Sequence, residues 1–251
     1  AVIEDANSDV TLPADLTVTV DLDVDGNTTT DGITNAGNFS TDGGTIKLDG
    51  NYPTGTENTA LGDTALDSVQ AGGNYNVVLG SRAGTNITTG DNNVGVGAYA
   101  LCDIQTNSQN VAIGTESLKK NTASNNTAVG YISLRCNTSG ADNTSVGLCS
   151  LTANTTASNN VAVGSAALRL NTTGANNVSV GRQALCSNTT ATCNTGIGDR
   201  TLCANTTGSE NTAVGSFALC TNTTGDSNVA IGKSSLAANT TGEQNTAVGL
   251  N

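Results

Sequence analysis

Asn211-Thr-Ala-Val-Gly-Ser-Phe-Ala-Leu-Cys-Thr-Asn-Thr-Thr-Gly-Asp-Ser227 is the stretch that decides the fold. Asn-Thr-Ala-Val alternates with period two, as a strand does, and the Gly that follows ends it. The same pattern returns along the chain. The Gly closing the alternation recurs at Gly62, Gly80, Gly97, Gly114, Gly130, Gly147, Gly164, Gly181, Gly198, Gly215, Gly232 and Gly249. The spacing is 17 residues, with one interval of 18 after Gly62 and one of 16 after Gly114. A fixed period of this size means stacked structural repeats. Numbered from the opening Asn, each repeat reads Asn, Thr or Val, a small residue, an aliphatic residue, Gly, two variable residues, Ala or Ser, Leu, two variable residues and Asn-Thr-Thr-Gly.

Position four is aliphatic throughout, as at Val129, Val146, Val163 and Val180, and is expected to face the interior. Position nine is Leu in all but one repeat, as at Leu134, Leu151, Leu168 and Leu185, with Gly84 the exception, and gives a second inward layer. Two short strands per repeat joined by tight turns describe one coil of a parallel β-solenoid, an all-β fold of about twelve coils. A helical reading fails because β-branched Thr and Val alternate with Asn and Gly. Position three is small, as at Ala128, Ser145, Ala162, Ser179 and Ala213. Period two points it away from the core, so either the coil bends sharply there or a neighbouring subunit packs closely against it. The opening Asn and the second Asn at position twelve, from Asn121 to Asn239, stack into amide ladders that satisfy the turns. Triplets such as Asn154-Thr-Thr156 and Asn205-Thr-Thr207 match the glycosylation acceptor pattern, but a repeat that needs Asn-Thr for its turns generates such matches automatically.

The remaining composition narrows function. The 251 residues contain no His, Trp or Met, only two Phe and four Tyr. Histidine is the usual general base near neutral pH and the commonest metal ligand, so a Ser/His/Asp or Cys/His triad and most zinc or iron centres are excluded. We expect no enzyme, cofactor or metal. Nine basic against 21 acidic residues give a net charge of −12, which disfavours nucleic-acid phosphates and anionic membranes. No apolar run approaches a membrane span, and the N-terminus lacks the basic start of a secretory signal. The last residues, Asn245 to Asn251, stop midway through a repeat, from which we expect the natural polypeptide to continue.

Residues 1–57 lack the repeat and form a separate β-rich segment, a possible attachment or shaft region, ahead of the solenoid at 58–251. Leu16, Val18, Val20, Leu22 and Val24 alternate as a strand before the turn Asp25-Gly26, and Thr45 to Gly50 reads as a second strand and turn. Asp21, Asp23 and Asp25 with Gly26 resemble the opening of a calcium loop, but Gly32 stands where the closing Glu is required and strand alternation explains the same aspartates.

None of the seven cysteines occurs as Cys-x-x-Cys. Cys102, Cys186, Cys203 and Cys220 share position ten, where parallel in-register strands aim sulfurs poorly for bonding. Disulfides are therefore expected between unlike positions of different chains, Cys136 with Cys149 and Cys186 with Cys193, unless the thiols are simply small apolar packing groups.

Asn110-Val-Ala-Ile-Gly114 and Asn228-Val-Ala-Ile-Gly232 resemble the head repeat of trimeric autotransporter adhesins, a family whose heads are left-handed parallel β-rolls associating three side by side. The longer unit with Ala-Leu and Asn-Thr-Thr-Gly, preceded by Asp15-Leu-Thr-Val-Thr-Val20 and Asp23-Val-Asp-Gly-Asn-Thr28, is similar to bacteriophage tail-fibre proteins. The 17-residue unit is longer than those of adhesin heads. The resemblance implies a homotrimeric structural fibre of a phage virion, or an otherwise extracellular one, supporting attachment to a host cell-surface receptor such as a carbohydrate and contacting other tail or fibre proteins, without nucleic acid or membrane insertion. A bacterial surface adhesin or self-assembling extracellular filament is the main alternative. An ice-binding solenoid displaying Thr pairs is the remote one.

Overall fold

The structure, a computed structural model, describes residues 57–250. Among these residues twelve three-residue strands follow one another in a single parallel sheet with sequence order equal to spatial order. The first is β1 (Thr59–Leu61), and β7 (Val161–Val163), β8 (Val178–Val180) and β9 (Thr195–Ile197) are typical of the middle. Register repeats from coil to coil: Val161 pairs Val178, Ala162 pairs Ser179 and Val163 pairs Val180. The result is a β-solenoid of about eleven turns, all-β among the described residues. The strand and calcium-loop expectations for Leu16 to Gly32 and Thr45 to Gly50 fall outside those residues.

Only positions two to four of each coil are a strand, where the spacing had led us to expect two strands per coil. The reason lies in the backbone after the Gly. Positions seven and nine and the residue before each opening Asn are left-handed and, Gly84 apart, are not Gly, as at Gln183 (φ 56), Leu185 (φ 49) and Cys193 (φ 58). Each such residue costs on the order of 1 kcal/mol, and the stacking compensates. Outside the strands the coils still bond to one another, as in Leu168 N to Ala184 O (3.1 Å) and Thr172 N to Thr189 O (2.8 Å). The closing Gly is obligatory: Gly164 has φ +134, and a Cβ there would lie 2.5 Å from the carbonyl oxygen of Gly181.

The interior differs from expectation in one layer. Leu134, Leu151, Leu168 and Leu185 are fully buried, as position nine required. Position four is not inside. Val129, Val146, Val163 and Val180 are half-exposed, while Ala128, Ser145, Ala162, Ser179 and Ala213 at position three are fully buried within the single chain. A strand of three residues sends its middle side chain one way and its two flanking ones the other. The middle one must be small because the Leu layer leaves no room: a Cβ on Gly196 would already stand 3.3 Å from Leu185 Cδ1. The small residues of position three therefore pack against the Leu layer of their own chain and leave no surface there for a subunit interface. Coil two shows the same volume constraint from the other side. Its position nine is Gly84, and the space goes to Val78 and Ile87, each with a carbon 2.9 Å from where a Cβ on Gly84 would stand.

The Asn ladders carry the polar interior. Asn177 Nδ2 donates to Ala191 O (2.9 Å), and its Oδ1 accepts from the backbone N of Asn194 (3.0 Å) one coil on. At position twelve, Asn188 Nδ2 donates to Asn171 Oδ1 (2.8 Å) and to Ala191 O (3.1 Å). Before Asn121 this column is apolar, with Val69, Ile87 and Ile104 buried in the same place.

Candidate functional site: the outward sheet face and its rims

Because position three turns in, positions two and four turn out together. They form two columns along the whole sheet, one of Thr and Val and the other of Val, Ile and Leu, without a charged residue in either. Ile113, Ile197 and Ile231 are each 40% exposed or slightly more in the single chain. Scattered apolar residues on a surface are ordinary, but a continuous stripe over twelve strands makes this face the candidate contact surface. The sequence reading missed it by placing position four inside. The signal that could have found it is the strand length: a Gly directly after position four and a turn before position two leave only three residues.

Two rims border this face. The two residues before each opening Asn form the leading rim, and the two after each Gly form the trailing rim. Lys47 lies outside the described residues, and the other eight of the chain's nine basic residues fall on one side of the coil. Arg82, Arg182, Arg200 and Lys233 stand on the trailing rim, and Lys119, Lys120, Arg135 and Arg169 on the turn just beyond it. The leading rim holds Glu57, Asp91, Asp142, Glu210, Asp226 and Glu243 and no cation. Two of these acids also brace the backbone, Asp91 Oδ1 accepting from Asn74 N (2.7 Å) and Asp226 Oδ1 from Ser209 N (2.6 Å).

The basic side is partly self-neutralised. Lys119 Nζ meets Glu116 at 2.8 Å and Arg135 meets it at 3.3 Å, and the Lys119 contact holds the Glu116 carboxyl below and the Lys119 ammonium above their ordinary pKa values. Lys119 and Arg82 also lie over the Tyr99 ring, 4.8 and 5.5 Å from its centre. Arg182 pairs with Asp199 at 3.0 Å.

All seven cysteines are free in the chain, so neither Cys136 and Cys149 nor Cys186 and Cys193 are joined within it. Cys186, Cys203 and Cys220 do form the expected column. The Cys186 thiol donates to Cys203 O (3.4 Å) and the Cys203 thiol to Cys220 O (3.3 Å), contacts that a bond at Cys186 would first have to break. Burial raises the Cys203 thiol, reinforced by its neighbours Cys186 and Cys220, and burial followed by Asp103 raises Cys102. A protonated, half-buried thiol is a poor nucleophile. Iodoacetamide at neutral pH is therefore expected to modify Cys203 at least about tenfold more slowly in the folded chain than in urea, as read by mass spectrometry of the digest. Equal rates would show that the column is open.

The glycosylation-like triplets are committed elsewhere. Asn154 Nδ2 is buried and donates to Asn137 Oδ1 (2.7 Å) and Ala157 O (3.0 Å), and Asn205 Nδ2 is held in the same way. The position-thirteen hydroxyls are occupied too, Thr172 Oγ1 donating to Thr189 O (3.0 Å) and Thr206 Oγ1 to Thr223 O (3.0 Å), which removes half of each Thr pair from any water-ordering array.

Among the described residues no group of three or more His, Cys, Asp or Glu could hold a metal ion, and no helix is long and apolar enough to cross a membrane. Comparison with protein-family models, curated proteins and solved structures gives no match.

Proposed function

We propose that the chain is a structural fibre protein, part of a phage tail fibre that supports host attachment, and that it works as a homotrimer packed side by side. One observation carries the reading: the outward face of the sheet is an uninterrupted column pair of Thr, Val, Ile and Leu that a lone chain leaves in water. Eleven strand spacings of about 4.8 Å make the face roughly 53 Å tall. A stable pairwise interface takes about 800 Å² per partner, and a face of that height is the surface on this chain to supply it.

The solenoid suits a mechanical role. Each coil is tied to the next by backbone bonds and by the opening-Asn ladder, joined from Asn121 onward by a second amide ladder, so load passes along the stack through many parallel bonds. Other tail or fibre proteins and a host surface receptor, for which a carbohydrate fits the acidic chain better than a polyanion, are its proposed partners. Its place is then the virion or otherwise the extracellular space.

The same face would equally serve a bacterial surface adhesin or extracellular filament. Light scattering on the purified chain is expected to give three times its 24.9 kDa mass. Antibody labelling in electron microscopy is expected on tail fibres of phage particles. A monomer at all concentrations, or label on cell surfaces alone, would overturn the trimer or the phage assignment respectively.

A further inference from the structure

We infer that the copies in this assembly run parallel and level, each chain's acidic leading rim against its neighbour's trailing rim. The inference rests on the side-by-side reading above and adds the pairing and direction of the chains. Rotation about an axis parallel to the solenoid, with the apolar faces inward, always brings the leading rim of one copy to the trailing rim of the next. A two-fold axis along the strand direction would instead join leading rim to leading rim, setting six carboxylates against six with no cation between them. Charge alone disfavours that arrangement, since juxtaposed like charges oppose association.

The level is set by the same residues. A coil rises about 4.8 Å over its full turn, so a side chain on the trailing rim after one strand stands between the leading-rim residues before that strand and before the next. Lys233, after the strand Val229–Ile231, then lies between the neighbour's Asp226 and Glu243. Arg200, after β9, meets Glu210, and Arg82, after the strand Val77–Leu79, meets Asp91. The fourth trailing cation, Arg182, has its acid in its own chain, Asp199. Glu116 on the trailing rim faces only Ser108, Gln109, Ser124 and Asn125. Two like-charge approaches remain, Asp63 with Glu57 at the first strand and Asp199 with Glu210 beside Arg200, the second offset by the Arg182 that Asp199 holds in its own chain. Sliding one chain by a coil worsens the balance: a shift in one direction adds the like-charge approaches of Glu116 to Asp142 and Asp63 to Asp91, and in the other it leaves Arg200 facing no acid and brings Glu116 opposite Asp91.

Charge exchange across the rims tests the pairing. Arg200 and Lys233 are exposed, as are Glu210 and Glu243, so reversing them leaves the coil interior untouched, and circular dichroism checks that the strands persist. By sedimentation of the full chain in low salt, Arg200→Glu with Lys233→Glu is expected to raise the dissociation constant about tenfold or more, and Glu210→Arg with Glu243→Lys likewise. Combining all four substitutions is expected to recover the wild-type value to within about threefold, and wild-type association is expected to weaken as salt rises. Recovery in the four-residue variant supports the parallel rim pairing. An oligomer indifferent to either reversal, or a four-residue variant no tighter than either pair, overturns that pairing while leaving the side-by-side assembly standing. A wild-type chain that stays monomeric at every concentration overturns both.

Discussion

Replacing Asn177 by Leu is expected to unfold the surrounding coils, with a loss on the order of 3–5 kcal/mol. Asn177 is fully buried, and its side chain serves groups in three different coils. Its Nδ2 donates to Asn160 Oδ1 (3.2 Å) and to Ala191 O (2.9 Å), while its Oδ1 accepts from Asn194 N (3.0 Å) and Asn194 Nδ2 (3.3 Å). An isosteric hydrocarbon orphans Asn194 N in the interior, takes from Ala191 O one of its two donors while Asn188 Nδ2 remains, and breaks the amide bonds to Asn160 and Asn194, where an unmade buried bond costs about 1–3 kcal/mol. The column at position twelve makes a graded control. Asn171→Val removes bonds to Gly174 O and to two amide neighbours, yet the first three coils fill that column with Val69, Ile87 and Ile104. A milder loss of about 2–3 kcal/mol is expected there, and replacing the whole run of position-twelve Asn by Ile is expected to cost less per site than the single change. Urea titration of the three variants checks the order. A single Asn177→Leu chain as stable as wild type would show that the ladders are incidental to the stack.

Much of this fold is legible in the sequence alone, and the reason is the period. A repeat of 17 residues with strand alternation and a closing Gly admits few architectures, and every later coil repeats the vote of the first. Leu134 through Leu185 were legible as core because a lone Leu between turn residues has nowhere else to go. Position three against position four was not legible, because both choices satisfy period two and the preference for aliphatic residues inside decides wrongly here. What settles it is three-dimensional: the Leu layer crowds the interior side of the strand, so the strand turns its small side chain in and its large ones out. The second strand per coil failed for a related reason. Leu185 and its equivalents adopt left-handed backbone, a state that nothing in Leu itself favours and that the stacking of coils imposes. The rims were legible in part. Numbering the Lys and Arg by position within the repeat would have shown their confinement to one side, but the meaning of that side depends on knowing which face of the strand is bare.

The orientation of the strand separates two substitutions that sequence reasoning would rank the other way round. Ala162→Leu places three extra carbons in a site that is fully closed, level with Ser145 and Ser179 and against the Leu layer. Overpacking of this kind costs typically 1–3 kcal/mol, which lowers the melting temperature by roughly 2–12 °C in a chain of this size. The loss falls on the coil itself, whether or not copies associate. Val163→Asp acts on the other side of the same strand, at a half-exposed residue. In a single chain the carboxylate keeps much of its hydration and the coil survives. In the assembly three such carboxylates are drawn together against an apolar face, and association is expected to fail. The two outcomes are read from one pair of experiments. Circular dichroism melting at several protein concentrations should show a lowered midpoint for the Leu variant, and for the Asp variant a midpoint that no longer rises with concentration, since mass action stabilises only what associates. Light scattering on the same samples should give an oligomer for the first and a monomer of 24.9 kDa for the second. The reverse pattern, an unfolded Asp variant and a stable but dissociated Leu variant, would return position four to the interior and position three to the interface, and the reading of the bare sheet face would fall with it.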